Sequence, residues 1–358
     1  MIKHRDRVLA ALNHEETDRV PFQATFTPEF ANRLREAFRL PAQREEPHHR
    51  EWYGYDLEML TGQDALQAGV GWFTNYYLKD EPYTDNWGVK WKIDQYETPF
   101  GKGKYTNLDR HPLSGDAPDL DLYKAPDPNA PGLYDHVDRL VREYKNEYYI
   151  IGRVHCTVFE SAWALRGFEN LLVDLYINPD LANRILDITF SYHLEAARNM
   201  AKKGVDMIWL GDDMGSQSSL LMNPETWDDF FKPRYAQLCN EVKNINKDIK
   251  IAMHSDGCVY DIIPGLIDVG VDVLNPIQTE CMDPTVLKKK YGNNICFFGG
   301  VAVQSTLPLG TPAEIRKEYD WLKGSLGKGG GWLCAPTHHV QQDTPIENFM
   351  ELLKCISS

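Results

Sequence analysis

A histidine and a carboxylate two residues apart, His254 and Asp256, are the sharpest chemical feature of this sequence. They end a segment, 250–256, whose apolar beginning is typical of a buried strand. Side chains alternate along a strand, so both residues should point to the same face. Cys334, near the end of the last apolar run, would add a thiolate. Histidine, carboxylate and thiolate with one open position would form an acceptable catalytic zinc site.

Two alternatives to a metal site remain open at these residues. His254 and Asp256 can also form a hydrogen-bonded pair that moves protons without a metal. Cys334 can equally be a small apolar side chain buried in the last strand, as free cysteines commonly are. The spacing alone does not decide between a metal site and a metal-free pair.

Further polar residues follow other apolar runs, in each case where the predicted strand ends. Asp212 and Asp213 could act as acid or base, or could cap the following turn. Glu160 could face a shared site or could act as a favourable anion in the first turn of a helix. Of His338 and His339, we expect one to face the site and the other to be exposed. The candidate substrate-binding residues at these strand ends are Asn275, Gln278, His338 and His339.

The elements that must position these residues alternate from residue 148 onward. Six apolar runs, each followed by a segment with helical periodicity, predict parallel strands that are covered on both faces. An early strand near Val20 and one more in the middle of the chain would bring the count to eight. We therefore predict a (β/α)8 TIM barrel, whose strands present their carboxyl ends at one mouth. The predicted strands are 148–154, 207–213, 250–256, 271–277, 295–301 and 331–337.

A doubly wound open sheet is the alternative fold, but no glycine-rich dinucleotide turn follows any strand. The 358 residues fit a single barrel domain, 1–358, because barrels often exceed the usual domain size. Residues 41–131 are rich in aromatic and turn residues and include a predicted β-hairpin. We interpret this aromatic-rich segment as an insertion that forms a lid over the barrel mouth.

Composition narrows the classes of partner. The net charge of −14 argues against nonspecific binding to nucleic acid or to an anionic membrane surface. No run approaches the roughly 18 apolar residues that a membrane helix needs, and the first residues lack a signal-peptide core. The seven cysteines are scattered without CxxC spacing, as expected for reduced thiols. We expect a cytoplasmic protein that binds small molecules and protein partners.

Several segments resemble the uroporphyrinogen-decarboxylase-like superfamily. They are distributed over most of the length of the chain and comprise residues 5–22, 159–186, 210–235, 253–284, 297–308 and 334–349. The resemblance implies a (β/α)8 barrel and one of two activities. True uroporphyrinogen decarboxylases carry an arginine-rich loop that binds tetrapyrrole carboxylates. The equivalent segment here, 20–38, lacks that loop, so decarboxylation of uroporphyrinogen itself is not expected.

The other branch of the superfamily is similar to cobalamin-dependent methyltransferases. Members that act on coenzyme M hold zinc with a His-x-Cys pair and a distant cysteine. Matched residue by residue, that ligand set falls on His254, Asp256 and Cys334, with Asp256 in place of a cysteine. A harder ligand set favours an oxygen-bearing substrate over a thiol.

The resemblance therefore implies O-demethylation of a methoxylated compound, a class that includes methoxylated aromatic compounds. A corrinoid protein would accept the methyl group, and relatives of this kind are often homodimers. The candidate catalytic residues are His254, Asp212, Asp213 and Glu160. No DxHxxG corrinoid motif occurs in the chain, so the cobalamin would be carried by a separate partner. A decarboxylase of another acidic substrate and a non-catalytic ligand-binding barrel are the alternatives.

Overall fold

A curled sheet of seven parallel strands forms the centre of the protein, described by a computed structural model for residues 2–41, 54–71 and 81–358. The strands neighbour one another in the order β1, β5, β6, β7, β8, β9, β10. Their bounds are β1 Ala65–Gly71, β5 Tyr149–His155, β6 Met207–Gly211, β7 Lys250–His254, β8 Val273–Asn275, β9 Cys296–Val301 and β10 Trp332–Pro336. A second, antiparallel sheet contains β2 Tyr83–Thr84, β3 Lys90–Thr98 and β4 Gly101–Arg110.

The extended segment 20–25 closes the large sheet into a barrel. Phe22 bridges Cys334 of β10 in parallel, and the backbone N–H of Gln23 donates to the Cys334 carbonyl. On its other side, the Phe22 carbonyl accepts from the backbone N–H of Asp64, the residue before β1. This segment therefore fills the eighth strand position between β10 and β1. The predicted (β/α)8 barrel is confirmed.

Helices surround the barrel. Their bounds are α1 His4–Leu12, α2 Pro28–Ala37, α3 Asp56–Leu60, α4 Asp135–Tyr144, α5 Phe159–Arg166, α6 Phe168–Ile177, α7 Pro179–Lys203, α8 Pro224–Phe230, α9 Lys232–Ile245, α10 Ile263–Asp268, α11 Pro284–Tyr291, α12 Thr306–Leu309, α13 Pro312–Leu322 and α14 Ile346–Ser357, with a 3₁₀ turn Tyr260–Ile262 and a π turn Lys323–Gly327. The longest helix, α7, begins at a proline and ends before Gly204, which adopts a left-handed conformation. None of the helices in the described ranges is both long and apolar enough to cross a membrane.

Two helical segments of the chain, 159–177 and 224–245, are each divided into two helices. Gly167 has a φ of 98°, which no helix contains, and it separates α5 from α6. Pro233 lies at the start of α9, where its missing N–H costs nothing, so that α8 ends at Phe230 and a new helix begins.

Alternation along the strands divides the core into two parts. The inner part fills the barrel, and α1 covers its lower end with Val8 and Leu12. The outer part lies between the strands and the helices and includes Leu210, Met253 and Cys334. The apolar strand residues of the inner part are Ala65, Tyr149, Ile151, Met207, Trp209, Ala252, Val273, Cys296, Phe298, Leu333 and Ala335. Odd-numbered residues of β5, β6 and β10 thus point inward, and this parity also applies to the polar residues that follow.

The segment 41–131 differs in part from the predicted insertion. Ala65–Gly71 forms β1 and pairs in parallel with β5, so these residues belong to the barrel wall. The predicted hairpin is present as β3 and β4, which pair antiparallel. Residues 42–53 and 72–80, with several of the aromatic residues, lie outside the described residues. A barrel strand was missed because its sequence contains two glycines, a glutamine and only short apolar side chains.

Asp64 links the closing segment to β1 at the lower end of the barrel. Its fully buried carboxylate accepts from Arg7 Nη1 at 2.7 Å and from Arg19 Nη1 at 2.6 Å. The same carboxylate accepts from the backbone N–H of Phe22 at 2.9 Å. Two cations and a backbone donor therefore satisfy one buried anion, and together they fix the entry of the chain into the barrel.

Replacing Asp64 with asparagine should destabilise the protein markedly. The substitution leaves the Arg7 guanidinium, whose side chain is 5% exposed, without one of its buried anions. Breaking a buried ion pair by removing one partner costs about 3–5 kcal/mol. Urea-induced unfolding checks this, with Glu143→Gln, which removes an exposed pair with Arg139, as the matched control. A loss of stability no greater than in the control would contradict the role given to Asp64.

Candidate active site

A cavity of about 190 Å³ opens at the carboxyl ends of the barrel strands. Residues from all seven strands of the large sheet, the closing segment, the hairpin and the loops after the strands meet there. Its lining consists of Gln23, Thr25, Thr27, Gln67, Tyr96, Lys104, Tyr105, Arg153, His155, Cys156, Glu160, Trp209, Gly211, Asp213, His254, Asn275, Phe298, Ala335, Pro336, Thr337, His338, His339 and Gln341. This is where barrel enzymes place their catalytic groups.

The orientation of His254 is determined by Asn275 on the neighbouring strand. Asn275 Nδ2 donates to the Phe298 carbonyl at 3.0 Å, so that Asn275 Oδ1 faces the other way. That oxygen lies 2.7 Å from Trp209 Nε1, a donor, and 2.8 Å from His254 Nδ1. His254 Nδ1 therefore carries the proton and donates, which leaves the lone pair on Nε2. Burial lowers the pKa of His254 to about 4, so the ring is neutral near pH 7.

Two carboxylates face His254 Nε2. Asp213 Oδ1 lies 3.6 Å from it and Asp256 Oδ1 lies 3.8 Å from it. The backbone N–H of Asp256 donates to Asp213 Oδ1 at 2.8 Å, which links the loops after β6 and β7. Burial raises the pKa values of both carboxyl groups, and the nearby charges of Asp212 at Asp213 and of Asp213 at Asp256 add to this effect. One ligand atom from each of the three residues can be chosen so that all lie within 4.8 Å of one another, a spacing suited to one metal ion.

Cys334, the third ligand predicted from the sequence, does not join this group. Leu333 and Ala335 point into the barrel, so Cys334 between them points outward. Its thiol is fully buried, and burial with Glu318 and Cys355 nearby raises its pKa well above the ordinary value. Asp213 takes the place that the sequence assigned to Cys334, because strand parity places the thiol on the other side of the β10 backbone.

Asp212, a predicted catalytic residue, is also outside the cavity. Its buried carboxylate accepts from the backbone N–H groups of Val158, Phe159 and Glu160, at 2.9, 2.8 and 2.7 Å. Tyr235 Oη donates to the same group. Asp212 therefore satisfies the free N–H groups at the start of α5. Asp212 thus caps α5, the helix that follows the neighbouring strand β5. The sequence suggested a different cap, on the turn that follows Asp212 itself.

Glu160, the other candidate acid, lines the cavity at the first turn of α5. The backbone N–H of Asp213 and the thiol of Cys156 lie near its carboxyl group and act to lower its pKa. Burial and the nearby charges of Asp213 and Asp212 nevertheless raise the pKa of Glu160 well above its ordinary value. The group is therefore suited to hold a proton at neutral pH. Cys156, which follows β5, has a φ of 51° and was not anticipated from the sequence.

The remaining predicted residues divide between lining and support. His338 and His339 both line the cavity; His338 is exposed, as expected for one of the two, and His339 is buried. The His338 ring lies 6.5 Å from the His254 ring, and His339 Nδ1 lies 2.6 Å from Thr25 Oγ1. Gln278 lies away from the cavity wall, and its Oε1 accepts from the backbone N–H of Gly257 at 2.9 Å.

Gly257 shows why the loop after β7 needs this support. Its φ is 81°, and an added Cβ would lie 2.5 Å from the backbone oxygen of Ser216. The backbones of the loops after β6 and β7 therefore touch next to Asp256. Gln278 and this glycine together hold the loop that carries the second carboxylate.

Two cavity residues were missed in the sequence, Arg153 and Trp209. The Arg153 guanidinium carbon lies 3.9 Å from the centre of the Trp209 ring, and the His254 ring lies 4.6 Å from the same centre. A signal was available for Arg153, because it is the charged residue within an otherwise apolar strand buried on both faces. Such a residue must point to a polar space, and in a barrel that space is the mouth.

Comparisons with known proteins agree with this architecture. The structure of a methyltransferase from Methanosarcina mazei superimposes on this protein with a TM-score of 0.73 and 20% sequence identity. The match covers 100% of this chain and 99% of the methyltransferase chain, so the two proteins share a fold. Among curated proteins, uroporphyrinogen decarboxylase from Trichodesmium erythraeum is 22% identical over 247 residues, 65% of each chain. Methylated-thiol–coenzyme M methyltransferase from Methanosarcina mazei is 23% identical over 221 residues, 61% of this chain.

The chain spans 65% and 55% of the lengths of these two curated enzymes. The family model described as uroporphyrinogen decarboxylase (URO-D) matches residues 96–358, which is well over half of the chain. This range begins within β3 and includes every cavity residue of the barrel strands from β5 to β10. The protein therefore belongs to the uroporphyrinogen decarboxylase (URO-D) family.

Proposed function

We propose that this protein transfers a methyl group from a small methoxylated compound to a corrinoid carried by a separate protein. The observation that carries the proposal is the convergence of Asp213, His254 and Asp256, with Asp213 and His254 on the cavity wall and His254 Nε2 facing both carboxylates. The cavity volume of about 190 Å³ also favours a small substrate. An engineered protein cavity of about 150 Å³ holds benzene, so the space suits one substituted ring better than a tetrapyrrole.

The three residues fit a divalent metal ion of the zinc type. Catalytic zinc sites use three protein ligands, from histidine and carboxylate among others, and keep one position open. The hydrogen bond from His254 Nδ1 to Asn275 supports the ring in the way that ligating histidines are usually held. A bound zinc ion would polarise the ether oxygen of the substrate as a Lewis acid. Nitrogen and oxygen ligands without thiolate favour an oxygen-bearing substrate.

The residues themselves supply positioning and a proton. The methyl carbon leaves its oxygen and forms a bond to the reduced cobalt of the partner's corrinoid, while the C–O electron pair stays on the oxygen. Glu160, whose raised pKa favours the protonated form, then gives its proton to that oxygen. The neutral His254 cannot supply this proton near pH 7, because burial lowers its pKa to about 4. The β3–β4 hairpin, through Tyr96, Lys104 and Tyr105, would cover the substrate as a lid.

Metal content separates the proposed ligands from Cys334. Protein purified from zinc-supplemented medium should contain about one zinc per chain, as in catalytic sites with three protein ligands. Asp213→Asn and Asp256→Asn should each lose most of it, whereas Cys334→Ala should retain it because the thiol points away from the cavity. Elemental analysis after gel filtration measures this. Metal-free wild-type protein would remove zinc from the proposal, and loss of zinc in Cys334→Ala would restore the thiolate ligand.

Turnover distinguishes methyl transfer from decarboxylation. With a panel of methoxyarenes and free cob(I)alamin as acceptor, we expect methylcobalamin to form, seen in its absorption spectrum. His254→Ala should lower the rate by about 10²–10⁴, the range for loss of a positioned catalytic group. Release of carbon dioxide from an acidic substrate, at full rate in the presence of chelator, would instead favour a decarboxylase.

The role of Glu160 should depend on the leaving group. Glu160→Gln keeps the size of the side chain but removes the proton, so the rate should fall by about 10²–10⁴ for a methyl ether of a weakly acidic phenol. The fall should be much smaller for a nitro-substituted aryl ether, whose leaving oxygen needs no proton. Initial rates over a series of leaving groups measure this difference. An equal fall for every ether would show that Glu160 acts only through the structure.

A further inference from the structure

Arg153 is a buried cation on the cavity wall without a carboxylate partner among the described residues. Its side chain extends from β5 on the inner face of the barrel, and the residue is 8% exposed. Its Nε is buried and has no hydrogen-bond partner. Burial lowers the pKa of Arg153, to about 9, so the guanidinium remains charged near pH 7. Buried charges are normally paired, so an anion bound next to this unpaired buried guanidinium would be stabilised.

Gln67 adds a second donor at the same wall. Arg153 Nη1 lies 3.4 Å from Gln67 Oε1, so the amide oxygen is turned toward the guanidinium. Gln67 Nε2 then has no hydrogen-bond partner, although it is buried in the cavity wall. A guanidinium N–H and an amide N–H thus lie side by side with unused donors. The two oxygens of a carboxylate match such a pair of donors.

The Trp209 ring lies beside both Arg153 and His254. Arg153 is 3.9 Å from the centre of its ring, and the His254 ring is 4.6 Å from it. The cavity is therefore polarised, with cationic and amide donors at Arg153 and Gln67 and acidic groups at Asp213 and Glu160. A molecule that uses both ends must be anionic at one end and must present a metal-binding or proton-accepting atom at the other.

We propose that Arg153 and Gln67 recognise a carboxylate on the substrate, with the body of the substrate beside Trp209. The identity of the far group rests on the proposed function: it is the methyl ether oxygen, near His254 and Glu160. The substrate class is then a methoxylated carboxylic acid of one-ring size. A representative of this class is 4-methoxybenzoate, whose carboxylate and methoxy group lie at opposite ends of one ring.

A binding measurement on the wild-type protein tests the carboxylate without any substitution. By isothermal titration calorimetry in the absence of corrinoid, 4-methoxybenzoate should bind about 10–150-fold more tightly than the neutral 4-methoxybenzamide, the range for hydrogen bonds to a charged group. Unsubstituted benzoate should also be preferred over benzamide. Equal binding of acid and amide, or no binding of the acid, would overturn the proposal.

Substitution then assigns the preference to Arg153. Arg153→Gln should abolish the acid-over-amide ratio, and Gln67→Leu should reduce it, while Arg139→Gln on the exposed face of α4 should leave it unchanged. With methyl transfer as readout, Arg153→Gln should raise KM for 4-methoxybenzoate about 10–150-fold while the values for the amide stay constant. A variant that binds acid and amide as the wild type does would remove Arg153 from recognition. Circular dichroism identifies a variant that fails to fold. In that case, the comparison of 4-methoxybenzoate with 4-methoxybenzamide on the wild-type protein tests the carboxylate site.

The two proposals can fail separately. Selective binding of benzoate without any methyl transfer would contradict the proposed function but support the carboxylate site. Methyl transfer from neutral methoxyarenes at the same rate as from methoxybenzoates would support the proposed function but contradict the carboxylate site.

Discussion

Closure of the barrel by segment 20–25 is the constraint on which the site depends. Phe22 joins β10 on one side and the residue before β1 on the other, and Asp64 fixes this junction with two arginines. Once the ring is closed, every strand has an inner and an outer face, and the register between strands sets the height of each side chain. The apolar inner residues fill the lower part of the barrel. The polar residues one or two positions further along can then only project into the mouth.

The same constraint explains which parts of the site could be predicted from the sequence. His254 and Asp256 share a face whatever the fold, because strand alternation alone requires it. Asp212 and Asp213 are neighbours, so one must point inward and the other outward, and only the three-dimensional register shows which. Cys334 lies between two apolar residues in a strand buried on both faces. Nothing in such a sequence indicates which residues point into the barrel. The prediction that the Cys334 thiol points inward was therefore wrong.

Fold class and the position of the site were accessible for a different reason. Parallel strands covered on both faces leave long apolar runs, and each run stops where the chain reaches the mouth. The strand β1 was missed since its residues are small and polar enough to resemble a loop. Arg153 was passed over although a lone charge in an apolar strand is itself informative. The contacts that give the site its chemistry, such as that of Asn275 with both Trp209 and His254, join strands that are far apart in sequence.

The acidic side of the mouth also shows how one fold keeps several carboxyl groups close together. Asp212 is compensated by three backbone N–H groups and by Tyr235, and it therefore needs no external cation. Asp213 receives one backbone N–H, from Asp256, and the two carboxyl groups repel each other. Their raised pKa values mean that they gain from any cation placed between them, and the neutral His254 Nε2 adds a lone pair in the same place. Asp212, whose charge is balanced by several donors, is thus a structural carboxylate. Asp213, its neighbour in sequence, has fewer donors and is therefore the one suited to bind a cation or to take part in chemistry.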